Sequence, residues 1–213
     1  MENIIENYNQ VFNKCNKINP NSNLIIISKS RPIDEIKTII DRNHFHFGEN
    51  KVQEAFVKWK DIKIINKNIQ LHLVGKLQGN KIDKALLLFD YIHSLDNKAL
   101  ASKLSTGEKK LNKKIKYFIQ VNTGKEPQKG GIFEEELLSF YKFCIEEVQL
   151  NIFGLMCIPP ISDSPRKHFQ KLRELSKIIG NLELSMGMSN DYEIALEEGA
   201  SYVRVGSAIF GPR

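Results

Sequence analysis

The chain has 213 residues, 41% hydrophobic and 26% charged, a length and balance at which one domain can bury one substantial core. No stretch reaches the ~20 uninterrupted apolar residues a membrane helix needs, and Met1 to Gln10 is too polar for a secretion signal, so one domain over 1–213, in the cytoplasm and without a membrane partner, is expected. The formal net charge of +6 is dispersed, and its densest run, Lys109, Lys110, Lys113, Lys114 and Lys116, has no interleaved aromatics, which favours a solvated helix end or loop over a nucleic-acid partner.

In chain order, Glu2 to Ile18 places Ile4, Ile5, Tyr8, Val11 and Phe12 at helical spacing, and Asn19-Pro20-Asn21 ends it. Strand Leu24 to Ser28 and helix Pro32 to Asp41 follow, then strand His44 to Gly48 and helix Lys51 to Lys60. Gln70 to Gly75 and Tyr91 to Ser94 read as the next two strands, with a helix over Lys98 to Leu104. Strand Tyr117 to Asn122 precedes helix Glu134 to Glu147, and strand Ile152 to Ile158 precedes helix Pro165 to Ile179. Strand Leu182 to Met186, helix Tyr192 to Glu198 and strand Tyr202 to Gly206 complete the chain.

About eight strands alternating with helices predict a (β/α)8 TIM-type barrel with an additional N-terminal helix, since right-handed crossovers bring so regular an alternation to closure. An open doubly wound sheet is the rival. The opening helix is expected to cover the stretch of barrel wall beside the last strand.

In such a barrel chemistry gathers at the carboxyl ends of the strands. Lys29 follows the apolar run Leu24-Ile25-Ile26-Ile27-Ser28, surroundings that disfavour an ammonium, and a neutral amine can attack an aldehyde. Leu184-Ser185-Met186-Gly187-Met188-Ser189 leads from the seventh strand into a helix opening with Asn190 and Asp191, and Arg204-Val205-Gly206-Ser207 ends the eighth. Small residues and backbone N–H groups after strands seven and eight form a candidate phosphate cup.

His44 and His46 alternate with Phe45 and Phe47, while His72 and His93 stand alone on strands, so satisfied structural histidines are expected and no metal site. His72 is within conceivable reach of the mouth. Cys15, Cys144 and Cys157 are odd in number and widely spaced, which suits reduced thiols in a reducing compartment.

Several segments, in order, carry a resemblance: Ser28-Lys29-Ser30, His46-Phe47-Gly48-Glu49-Asn50 with Val52-Gln53-Glu54-Ala55, and Leu73-Val74-Gly75 with Leu77 to Lys81. Ile92 to Asp96, Ile119 to Asn122, Gly154-Leu155-Met156, Leu184 to Ser189 and Val203 to Gly211 continue it. Together they resemble the pyridoxal 5'-phosphate (PLP) homeostasis protein family, related to the N-terminal barrel domain of bacterial alanine racemase. The resemblance implies PLP held as a Schiff base, an internal aldimine, on Lys29, with Arg204 facing the pyridine nitrogen. It puts Ser185, Ser189, Gly206 and Ser207 around the phosphate, with Asn50, Met186 and Gly187 as further lining. Lys129 matches the family's Lys-x-Gly loop, here with Gly130 and Gly131 in place of the commoner single glycine, and Leu71 stands where an aromatic is frequent.

A guanidinium cannot take up the pyridine proton, so Arg204 predicts a weak electron sink. Racemisation also needs acid/base groups on both faces, and Lys29 serves one; in alanine racemases an additional domain supplies the other, and this chain stops at Arg213. The expectation is therefore a monomeric PLP carrier or regulator with little or no turnover and no catalytic residue, acting in intracellular PLP homeostasis with amino acids and PLP-accepting apoenzymes as partners. A small PLP-dependent amino-acid racemase and a cofactor-free Schiff-base aldolase are the alternatives.

Overall fold

A computed structural model describes residues 2–212. Eight parallel strands form a closed barrel in chain order: β1 (Asn23–Ile27), β2 (His46–Glu49), β3 (Gln70–Leu73), β4 (Tyr91–Leu95), β5 (Lys116–Gln120), β6 (Ile152–Met156), β7 (Glu183–Met188) and β8 (Tyr202–Val205). Closure is made by β1 against β8, from Asn23 opposite Tyr202 to Ile26 opposite Val205. The strands are short because each needs only to cross the barrel wall, and their branched and aromatic residues are buried on both faces. The doubly wound alternative is thereby excluded.

Helices cover the outside: α1 (Glu2–Ile18), α2 (Ile33–Ile40), α3 (Val52–Ile65), α4 (Ile82–Leu88), α5 (Lys98–Leu111), α6 (Leu137–Lys142), α7 (Pro165–Ile178), α8 (Tyr192–Glu197) and the single turn α9 (Ser207–Phe210). The amphipathic α1 buries Tyr8, Val11 and Cys15 and packs against α2, α8 and α9, so it lies on the wall beside the last strand. The main apolar core lies between strands and helices. A smaller cluster of Ile25, Tyr91, Phe118, Met156 and Tyr202 fills the barrel itself. Among the described residues no helix is long and apolar enough to cross a membrane.

Three elements depart from the sequence reading. Helix α4 occupies the β3–β4 crossover, where the periodicity named no segment. Helix α5, expected over Lys98 to Leu104, runs on to Leu111, and Gly107 sits where α4 comes close: a Cβ there would lie 2.6 Å from Leu86 Cδ1. The helix read over Glu134 to Glu147 is three pieces, a 3-10 turn over Glu134–Glu136, α6, and a π turn over Phe143–Glu147 closed by the Val148 N–H on the Phe143 carbonyl at 3.2 Å. The added residue of the π turn presents the Val148 carbonyl to the Ser105 hydroxyl of α5 at 2.6 Å. The lysine run is the helix end and loop expected of it, with Lys109 and Lys110 exposed in the last turn of α5 and Lys113 and Lys114 in the connection to β5. Lys116 opens β5 and sets its ammonium over the rings of Phe153 and Tyr91 at the amino-terminal end of the barrel, 4.3 and 5.1 Å from their centroids. Lys113 reaches the Leu87 and Phe89 carbonyls, and Lys114 pairs with Glu108 at 2.9 Å, so these residues clasp helix ends.

Candidate functional site

At the carboxyl ends of the strands lies a cavity of about 520 Å³. Lys29 lines it from the turn after β1, half-buried. The residue before it is held from three sides: Ser28 N–H donates to the Gly48 carbonyl at 2.9 Å, its hydroxyl donates to Glu49 at 2.7 Å, and its carbonyl accepts from Lys58 at 2.7 Å. The chain then reverses at Ser30, whose φ of 58° is left-handed and whose N–H donates to Glu54 at 2.5 Å. Lys29 is thus mounted on a fixed base. Glu54 sits below the usual carboxylate range despite the opposing effect of burial, because the Ser30 N–H and the Lys58 ammonium stabilise its charge.

Asn50, after β2, lines the same cavity. Its backbone is pressed against the end of β3, where a Cβ on Gly75 would stand 2.2 Å from the Asn50 carbonyl oxygen, a separation only glycine permits.

The loops after β7 and β8 bring Ser189, Gly206 and Ser207 to the cavity wall. Backbone N–H groups of Gly206 and Ala208 converge on the Ser189 hydroxyl at 3.2 and 3.3 Å. That is a cluster of donors at the start of α9, suited to an anion. Arg31 adds a cation at the rim, its guanidinium donating to the Gly211 carbonyl at 2.6 Å and lying over the Phe210 ring.

Arg204 stands deep in the cavity wall, 4% exposed. It donates to Ser185 Oγ at 2.7 Å and to the Cys157 carbonyl at 2.9 Å, which fixes the plane of the guanidinium. Burial lowers its pKa from the ordinary guanidinium value, opposed by Cys157 and Asp191. The Cys157 thiol is pushed up to about 12, chiefly by burial, and all three described cysteines are buried and free.

Six of the nine residues singled out in the sequence, Lys29, Asn50, Ser189, Arg204, Gly206 and Ser207, therefore meet around one cavity. Ser185, Met186 and Gly187 are not among its lining residues. Ser185 is fully buried beneath Arg204, Met186 belongs to the apolar core, and Gly187, with φ +89°, packs against Ala195 of α8. The pairing of β7 with β8 shifts register between Ser185 and Met188, and Met188, beyond the shift, does line the cavity.

The sequence reading missed two features. The lip of the cavity is Ile158, Pro159, Pro160 and Ile161, the last fully exposed, and it is pinned by His168 of α7, whose ring contacts Thr123 Oγ1 at 3.0 Å and Asp163 at 3.1 Å. The Ser164 N–H and His168 hold Asp163 below its ordinary value. The Pro159-Pro160 pair after the sixth strand was the available signal. The second is the barrel interior, where His72 stands in hydrogen-bond contact with His46 on one side and His93 on the other.

A family model described as "Alanine racemase, N-terminal domain" matches residues 1–213. A curated pyridoxal phosphate homeostasis protein of Aquifex aeolicus is 37% identical over 199 residues, covering 89% of this chain and 86% of its own. The one from Escherichia coli is 31% identical, over 100% and 98%. The solved structure of PipY from Synechococcus elongatus with PLP bound superposes with a TM-score of 0.86 at 34% identity, over 98% of this chain and 100% of its own. Without PLP the same protein gives a TM-score of 0.88 at 35% identity. The chain belongs to the pyridoxal phosphate homeostasis protein family, built on the alanine racemase N-terminal-type barrel.

Proposed function

We propose that this protein binds PLP through a covalent Schiff base on Lys29 and serves intracellular PLP homeostasis as a carrier with little or no turnover. The observation that carries this reading is the meeting of Lys29, Arg204 and the Ser189/Gly206/Ser207 donor cluster around one cavity, in a family with a PLP-bound member. Bound PLP would supply an aldehyde, and Lys29 is the amine on the cavity wall that would hold it, reversibly in water. The N–H groups of Gly206 and Ala208 and the hydroxyls of Ser189 and Ser207 bind the phosphate, with Arg31 adding charge. Ser185 is better assigned to Arg204 than to the phosphate.

Two features argue for holding over turnover. Arg204 would meet the ring nitrogen as a donor with no lone pair to take its proton, so the ring would remain a weak electron sink. The carboxylates on the described cavity wall, Asp163 and Asp191, already accept hydrogen bonds from the Ser164 and Met188 N–H groups, and Asp163 also contacts His168, which disfavours either as a second proton carrier opposite Lys29. Amino acids and PLP-accepting apoenzymes are the proposed exchange partners of a monomer acting in the cytoplasm.

Borohydride reduction, digestion and mass spectrometry should find a PLP adduct on Lys29, and an adduct on another lysine overturns the assignment. Deuterium exchange at the α-carbon of added amino acids, at rates ordinary for PLP enzymes and lost in Lys29→Ala, would replace the carrier by a racemase.

A further inference from the structure

Beneath the cavity a row of polar side chains crosses the barrel interior. It begins at Ser185 on β7, whose hydroxyl accepts from Arg204 at 2.7 Å and contacts His93 Nδ1 on β4 at 2.9 Å. His93 Nε2 lies 2.9 Å from His72 Nδ1 on β3, and His72 Nε2 lies 3.0 Å from His46 Nδ1 on β2. His72 and His93 are fully buried, and His46, half-buried, reaches the amino-terminal end of the barrel. Neighbouring rings fix the orientation: His72 is stacked on Tyr91 at 4.2 Å and 12°, and His93 on Phe118 at 4.2 Å and 15°.

The contacts restrict where the protons sit. Each inter-ring contact joins an Nε2 to the Nδ1 of the next ring, and a neutral imidazole carries one N–H. Only two patterns therefore keep all three rings neutral and every contact hydrogen-bonded: all protonated at Nε2, or all at Nδ1. Burial, first among the causes, holds His72 and His93 well below the ordinary histidine pKa, so the neutral form is the relevant one.

Arg204 chooses between the patterns. A guanidinium only donates, so Ser185 Oγ must accept from it. With every ring protonated at Nδ1, Ser185 would accept from His93 as well, and its own O–H would have no acceptor among the described residues. With every ring protonated at Nε2, the hydroxyl accepts from Arg204 and donates to His93, and no buried donor is wasted. Since Arg204 does not release its proton, nothing replenishes a proton passed from Ser185, and the row acts as a brace and not as a conductor.

We propose that His93, His72 and His46 are positioning residues, a one-way hydrogen-bond chain running Ser185 to His93 to His72 to His46, whose polarity Arg204 sets and which in turn holds Arg204 against the cofactor ring. The positioning role rests on the PLP reading above, whereas the polarity does not.

Long-range proton–nitrogen NMR of the three imidazoles in ligand-free protein near neutral pH should show all of them neutral and protonated at Nε2. An Nδ1–H tautomer or an imidazolium at His72 or His93 overturns the polarity, whether or not any variant folds. In PLP titrations followed by the visible band, His93→Phe keeps the stack on Phe118 but removes the acceptor of Ser185, and should weaken binding about tenfold and shift the band. His93→Gln, with an acceptor oxygen and an N–H donor, should recover most of the affinity, a rescue that loss of packing alone would not predict. A folded His93→Phe with wild-type affinity and band overturns the positioning role alone. A wild-type chain that takes up no PLP overturns the pocket reading and the positioning role together, leaving the NMR result to decide the polarity.

Discussion

Glu49 shows how a single side chain sets the floor of the cavity. It is fully buried, and one of its oxygens accepts from Ser28, Lys58 and the Trp59 indole at 2.7, 2.9 and 2.9 Å, while the other has no partner among the described residues. Ser28 precedes Lys29 and Glu49 precedes Asn50, so this one carboxylate ties together the bases of two cavity residues. Breaking a buried ion pair from one side strands a charge, at a cost of about 3–5 kcal/mol. Lys58→Met should therefore destabilise the protein by about that much in urea unfolding, and Lys58→Met combined with Glu49→Gln should regain part of the loss. A double variant no more stable than Lys58→Met would deny the carboxylate its stranded charge. The sequence displays Glu49 inside a recognisable motif. Its partners Ser28 and Lys58 lie on other elements, and a linear reading has no means of joining them.

Among the elements, the strands were legible because their branched and aromatic runs have few other uses, and the site loops after β1, β7 and β8 were found from residue type and order. Less legible were elements whose form is decided by a neighbour. The helix read as ending at Leu104 continues past Gly107, where α4 packs against it, and Ser185, Met186 and Gly187 of β7 read as site residues until the structure puts them behind the wall that Met188 joins. Gly75 is the same kind of residue at the site. The ends of β2, β3 and β4 meet there, with the Ser94 hydroxyl donating to the Gly75 carbonyl at 2.8 Å and the Asn50 backbone against its Cα. A methyl group at Gly75 must displace backbone and not merely a flexible side-chain tip. Gly75→Ala should cost about 1–3 kcal/mol in thermal or urea unfolding, and because Asn50 is what moves, it should also weaken PLP uptake. Wild-type stability together with wild-type uptake would mean that the two strand ends have slack the packing does not show.

For the molecule as a whole, closure follows from eight alternations in order, but what fills the closed space does not. Inward-facing positions on different strands come into contact only once the barrel exists, which is why His72 and His93 read as isolated and His46 only as one of a pair alternating with phenylalanines. Burying so many neutral imidazoles has a consequence for stability against pH. His44, in contact with the Tyr8 hydroxyl at 3.4 Å and the His46 carbonyl at 3.0 Å, is lowered from 6.5 to about 4 by burial, and His72 and His93 are lowered well below 6.5. In the unfolded chain these rings take up protons as pH falls through about 6.5, so below that point the unfolded state binds more protons than the folded one. The stabilisation is complete above the unfolded value and is lost as pH falls toward the folded one. His44 alone should forfeit about 3 kcal/mol over that interval, and the buried pair His72 and His93 should steepen the loss. Urea unfolding at successive pH values should show stability falling from pH 6.5 to about 4, a range that begins above where carboxylates start to protonate. His44→Phe, which has no proton to gain, should fall less steeply over the same range. A wild-type profile that stays flat there would mean that these rings carry their charge inside the folded barrel, and the neutral interior chain beneath Arg204 would fall with it.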